Sequence, residues 1–148
     1  MIVAFCGHKN VSERYSYCIL EIERILWDIC EFENKLEFLC GEYGEFNGYC
    51  VDVLIKLRNN PDFPKFKMNY VLPYPHVKNL PLMDGFYDEL IYPDLDDVYY
   101  KNKIIQRNKW IVENCDVLVA YVKNKNGGAA RMLNYALALH KKVVFVEI

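Results

Sequence analysis

Val117-Leu118-Val119-Ala120-Tyr121, then Gly127-Gly128, then Ala130, Leu133 and Leu137 at helical spacing: this stretch decides the fold. A short apolar run bounded by a polar turn reads as a buried strand, and the glycines mark where the chain turns into a helix. Two adjacent glycines at such a junction let backbone N–H groups approach a ligand closely. The helix start behind them favours an anion such as phosphate.

The same junction recurs twice upstream. Ile2-Val3-Ala4-Phe5-Cys6 runs into Gly7-His8-Lys9-Asn10, and Leu36-Glu37-Phe38-Leu39-Cys40 runs into a segment with Gly41, Gly44, Glu45, Phe46, Asn47 and Gly48. Between them Tyr15, Cys18, Ile19, Ile22, Ile25, Leu26 and Ile29 recur at helical spacing, with Ser12 as the expected cap. Val51, Leu54, Ile55 and Arg58 mark a second helix, with Asn47 as a cap candidate and Asn59-Asn60-Pro61 as its stop. Residues 67–72 alternate as a third strand. Residues 73–97, with Pro73, Pro75, Pro81, Pro93 and several acids, read as an ordered loop with a short helical turn.

Ile104, Ile105, Asn108, Ile111, Val112 and Cys115 then form a helical face. A strand is expected at 116–121, a helix at 128–140 and a last strand at 143–148, whose run Val143-Val144-Phe145-Val146 suits burial on both faces. Strands alternating with helices define an α/β chain: a mainly parallel sheet with helices on both faces, a three-layer sandwich. The three glycine-marked corners then fall on one side of the sheet and point to one ligand site.

At 148 residues and 53% apolar composition, the chain is read as a single domain, 1–148. Its formal charge of -2 has no basic block, which disfavours nucleic acid as a partner. Cys6, Cys18, Cys30, Cys40, Cys50 and Cys115 include no CxxC pair and no histidine at metal spacing, so no metal or other cofactor is expected. The start does not read as a signal peptide, and no apolar run reaches the length of a membrane span. The expectation is a reduced, cytoplasmic protein that does not partner a membrane.

In the first corner, Lys9 can place a charge near phosphate, and His8 can donate to phosphate or a ribose hydroxyl. Neither GxGxxG nor a Walker A loop is present. In the second corner, Gly44 and its neighbours offer backbone donors, Glu45 a carboxylate able to accept from ribose or act as a base, and Asn47 an amide. Arg107-Asn108 offers a rigid bidentate fork, although the residues alone favour a surface arginine paired with an acid. Trp110 and Tyr135 can stack on a base, but their spacing favours the core. Arg131 beside the helix start opposes the helix dipole unless an anion sits there.

Taken together, these corners resemble the SLOG superfamily, named for the SMF/DprA and LOG proteins, and within it the small YpsA/YoqJ-like group. Phe5-Cys6-Gly7-His8-Lys9 is similar to its Cys-Gly-His-Arg opening, with Lys9 in the arginine position. Gly41-x-x-Gly44-Glu45-Phe46-Asn47 resembles its glycine-rich segment, with Asn47 where aspartate is usual. The run from Arg107-Asn108 to Asp116 is similar to its Arg-Asn-x-x-Met-Val-Asp-x-Ser-Asp signature, and Gly127-Gly128 precedes Tyr135-Ala136 as the group's glycine pair precedes its Tyr-Ala.

The resemblance implies a Rossmann-like fold and a nucleotide or nucleotide-derived ligand, held by Gly7, His8, Lys9, Gly44, Glu45, Asn47, Arg107, Asn108, Gly127, Gly128 and Arg131. It also implies a bacterial or phage source and a homodimer or larger assembly. LOG-type members are phosphoribohydrolases with a Pro-Gly-Gly-x-Gly-Thr-x-x-Glu signature. Here that glutamate is Asn134, which cannot ionise. Binding or sensing is therefore expected. One alternative is N-glycoside hydrolysis through Glu45, with Asp84 or Asp88 as substitutes. Another is an interaction module built on Tyr92, Tyr99 and Tyr100.

Overall fold

Successive side chains of a strand point to opposite faces, so a strand apolar at every position needs cover on both sides. In the strand Ile2–Gly7, Val3 and Phe5 enter one core while Ala4 and Cys6 enter another. In Val117–Tyr121, Val117, Val119 and Tyr121 join the first core, and Leu118 and Ala120 the second. The computed structural model, which describes residues 1–41, 44–75 and 85–148, provides helices on both faces.

In chain order the elements are β1 (Ile2–Gly7), α1 (Tyr15–Cys30), β2 (Leu36–Cys40), α2 (Glu45–Arg58), β3 (Phe66–Val71) and β4 (Glu89–Ile91). A 3-10 turn (Tyr100–Asn102), α3 (Lys103–Asn114), β5 (Val117–Tyr121), α4 (Gly128–Ala138) and β6 (Lys142–Phe145) follow. Among the described residues the strands form one six-stranded sheet ordered β4-β3-β2-β1-β5-β6, and every neighbouring pair is parallel. Ile22, Ile25 and Leu26 of α1 and Phe46, Val53 and Leu54 of α2 fill the first core. Ile111 and Val112 of α3 and Met132 and Ala136 of α4 fill the second. This is a Rossmann-like α/β arrangement, as the alternation of strands and helices predicts.

The order of strands reverses at β1, with β2 on one side and β5 on the other. Loops leaving β1 and β5 turn to opposite faces there, which opens a crevice at the carboxyl ends of the two strands.

Several local expectations differ from the structure. The segment 73–97 contains β4, because Asp88 fixes it to β3. The Asp88 N–H donates to the Met68 carbonyl at 2.7 Å, and its carboxylate accepts the Met68 N–H at 2.8 Å and Arg58 at 2.8 Å. Three residues are too few to display an alternation. Pro81 and Asp84 lie outside the described residues. The last strand is Lys142–Phe145, not 143–148, and it forms an edge of the sheet with Phe145 46% exposed. An apolar run reads alike in a central strand and at an edge.

Ser12 does not cap α1. Its hydroxyl donates to Glu13, and Arg14 is the residue at the cap. Asn47 sits inside the first turn of α2, whose cap position is Gly44. All six cysteines are buried free thiols, and burial pushes Cys6, Cys30 and Cys40 up to about 12. Among the described residues no helix is long and apolar enough to cross a membrane.

Candidate functional site

The crevice at the ends of β1 and β5 is a cleft of about 400 Å3, lined by residues from all three glycine-marked corners and from α3. Gly7, His8 and Lys9 come from the first corner, Gly41 and Asn47 from the second, and Gly127 and Gly128 from the third. Arg107 and Asn108 form part of the wall contributed by α3.

The corners play unequal parts. The first N–H groups of α2 are already engaged: Glu45 donates to the Lys9 carbonyl at 2.9 Å and Phe46 to the His8 carbonyl at 3.4 Å. Those two amides brace the loop after β1 and are not turned to a ligand. Gly44 permits the close approach. It has a φ of 102°, and a Cβ there would lie 2.7 Å from the Lys9 Cα. Gly7 is demanded by packing, since a Cβ would fall 2.1 Å from the Phe46 ring.

The third corner is open. Gly127, at the cap position of α4, has a φ of 105°, no side chain caps the helix, and its first turn holds no acid. Helical geometry leaves the leading N–H groups without intrahelical partners. With the cleft in front of them, they present the positive end of the helix dipole to whatever enters.

Arg107 is 1% exposed, so the surface-arginine reading does not hold. Spacing of three to four residues puts Ile104, Arg107, Asn108 and Ile111 on one face of α3, against the strand ends. The Arg107 Nη1 donates to the Val71 carbonyl at 2.9 Å, at the last residue of β3, and its Nε donates to the Asn108 side-chain oxygen at 2.9 Å. The guanidinium lies close to Gly41, where a Cβ would stand 3.6 Å from it, an ordinary van der Waals contact.

His8 joins the first corner to the third. Its Nε2 accepts the backbone N–H of Lys123 at 2.7 Å and that of Asn124 at 3.2 Å. Behind it, Glu13 accepts from the Tyr121 hydroxyl and pairs with Lys123. The bond from Lys123 holds the Glu13 carboxyl below its ordinary value.

Of the residues expected at the site, Gly44, Glu45 and Arg131 do not line this cleft. Gly44 braces it from behind, the Glu45 carboxylate accepts from Tyr49 at 2.9 Å, and Arg131 lies beside a second cavity. Asp88 is engaged at β3. Asn134 is exposed on α4 and does not line the cleft. The structure adds Asn10, Asn124 and Asn126, which with Asn47 and Asn108 give five asparagines along the cleft. Asn124 and Asn126 sit in the polar stretch before Gly127-Gly128, a signal that composition around the glycines could have supplied. Among the described residues that line the cleft, Lys9 and Arg107 are the cations and none is a carboxylate.

No known protein-family model matches this chain, and no curated protein does. Among solved structures, the chain is similar to the X-ray structure of TM1055, a Northeast Structural Genomics Consortium target. The likeness has a TM-score of 0.60 at 17% identity and covers 96% of this chain and 71% of that one. At that identity the likeness is one of fold, and it agrees with the Rossmann-like sheet described above.

Proposed function

We propose that residues 1–148 form one SLOG-like domain that binds or senses a nucleotide or nucleotide-derived ligand without efficient turnover. One observation carries this reading: the open start of α4, Lys9 and the buried Arg107 line a single cleft at the switch point of the sheet, with no carboxylate among its described lining residues. Oriented N–H groups and two cations suit a phosphate. Side-chain amides both donate and accept, which suits ribose hydroxyls or a base edge.

Hydrolysis of an N-glycosidic bond needs a fixed carboxylate near the developing cation. Glu45 and Asp88 are engaged elsewhere, and Asn134 supplies no charge. These positions support binding over cleavage.

Native mass spectrometry of the purified protein, followed by calorimetry with nucleoside mono-, di- and triphosphates, cyclic nucleotides and ADP-ribose, tests the reading. Binding without release of free base is the expected result. Base release at enzyme-like turnover, abolished by Glu45→Gln in a folded protein, would replace this reading with hydrolysis. Failure of every compound to bind would leave the exposed pair Tyr99 and Tyr100 and an interaction role as the better account.

A further inference from the structure

A second cavity, of about 210 Å3, lies between α3 and α4 beside the main cleft. Helical spacing builds it: Gly128, Arg131, Met132 and Tyr135 follow one face of α4, while Ile104 with Asn108 and Ile105 with Lys109 are pairs four residues apart on α3. Ile104, Asn108, Gly128 and Met132 line both cavities, so the two lie side by side. Gly128 is the informative one. It has no positive φ, and a Cβ on it would meet nothing within 4 Å. Neither backbone strain nor packing requires glycine there. What its missing side chain leaves is open space at a residue that lines both cavities.

We propose that this second cavity is the ring subsite of the same ligand, taking the aromatic base of a nucleotide whose phosphate lies at the start of α4. The inference rests on the nucleotide reading above and adds to it the place and chemistry of base recognition. Ile104, Ile105 and Met132 offer apolar and polarisable walls for a flat ring, and Tyr135 offers an aromatic face. Lys109 lies 5.4 Å from the centroid of the Tyr135 ring, an arrangement that orients a cation against the aromatic wall. Asn108 belongs to both cavities and carries a donor and an acceptor able to read a base edge. An apolar cavity of about 150 Å3 accommodates benzene, so the observed space is on the scale of a planar ring system.

Ribose 5-phosphate carries the anion without the base, and this separates the subsite from the rest of the site. Calorimetry with ribose 5-phosphate and with AMP, GMP, CMP and UMP is the test, on the wild-type protein and on Tyr135→Ala and Ile105→Trp. Both variants alter residues lining only the second cavity, one removing a wall and one filling the space. The best nucleotide is expected to bind about tenfold or more tightly than ribose 5-phosphate, and each variant to erase most of that difference while ribose 5-phosphate affinity moves less than about twofold. Melting temperatures identify any variant that fails to fold, and the other then carries the comparison. Equal affinity for ribose 5-phosphate and all four nucleotides, or equal losses for both classes in the variants, would overturn the ring subsite and leave the phosphate site standing. Failure of every probe to bind would overturn both.

Discussion

Lys123 donates its backbone N–H to Nε2 of His8 at 2.7 Å, and this bond joins the loops that leave β1 and β5. A residue that reads from the sequence as a ligand donor thus uses one nitrogen as an acceptor for the neighbouring loop. Asn124 shares the same acceptor at 3.2 Å. Replacing His8 by alanine leaves two N–H groups to find other partners. Amide hydrogen exchange at Lys123 and Asn124 is expected to accelerate about tenfold, the equivalent of about 1.4 kcal/mol in local opening. Unchanged exchange at both amides in a folded His8→Ala protein contradicts this role.

Gly7→Ala places a methyl group 2.1 Å from the Phe46 ring, which stacks on Tyr121 at 5.8 Å. Phe46 is fully buried and has little space to yield. The expected cost is about 1–3 kcal/mol, read from denaturant unfolding. Phe46→Leu introduced alongside should recover part of it. A Gly7→Ala protein as stable as the parent would show that the ring moves freely.

Arg107→Ala should lower affinity for the anionic ligand by about 2 kcal/mol or more, the scale of a charged hydrogen-bonding group lost from a binding site. Because Arg107 also donates to Val71, the melting temperature should fall as well. Arg107→Lys keeps the charge without the planar fork and is expected to recover only part of either property. Unaltered affinity in folded Arg107→Ala would remove this side chain from the site.

Burial raises the thiols of Cys6, Cys30 and Cys40 from 9.0 to about 12, and those of Cys18, Cys50 and Cys115 upward too. In the unfolded chain each ionises near its ordinary value, so above that pH the unfolded state holds fewer protons than the folded one. Stability is then full below the unfolded pKa and declines as pH rises from there through the folded value. The melting temperature should therefore drop as pH rises from about 9 toward about 12. Native protein should also resist alkylation at neutral pH, since the reactive species is the thiolate. A flat melting curve over that range, with rapid labelling of the folded protein, would be incompatible with these buried thiols.

The central strands were legible because their side chains are apolar on both faces, a pattern that only a covered parallel sheet satisfies. Gly7 and Gly127 were legible because one closes such a strand and the other lies in the turn between such a strand and a helix. Residues whose partners are distant in sequence were not. Neither the His8–Lys123 bond nor the Glu13, Tyr121 and Lys123 cluster leaves a mark in local spacing, since each depends on where β1 and β5 end beside one another. Arg107 was found only through the family likeness, because an arginine on a helix looks the same whether it faces water or a strand end. β4 was missed because it is held by Asp88 and not by any pattern of its own.

The start of α2 has a consequence for the order in which the molecule assembles. Its cap carries no side-chain hydrogen bond, and its first N–H groups are satisfied by carbonyls of His8 and Lys9, far away along the chain. A short helix forms poorly when its opening turn is unsupported, because nucleation is the costly step. The first turn of α2 therefore closes only once β1 and its loop have been brought alongside, at the entropic cost of a long loop. A peptide of residues 45–58 alone should show little helix by circular dichroism, whereas a fragment that retains β1 starts with the docking partner in hand. One rim of the cleft is thus laid down late, when the first and second strands have met.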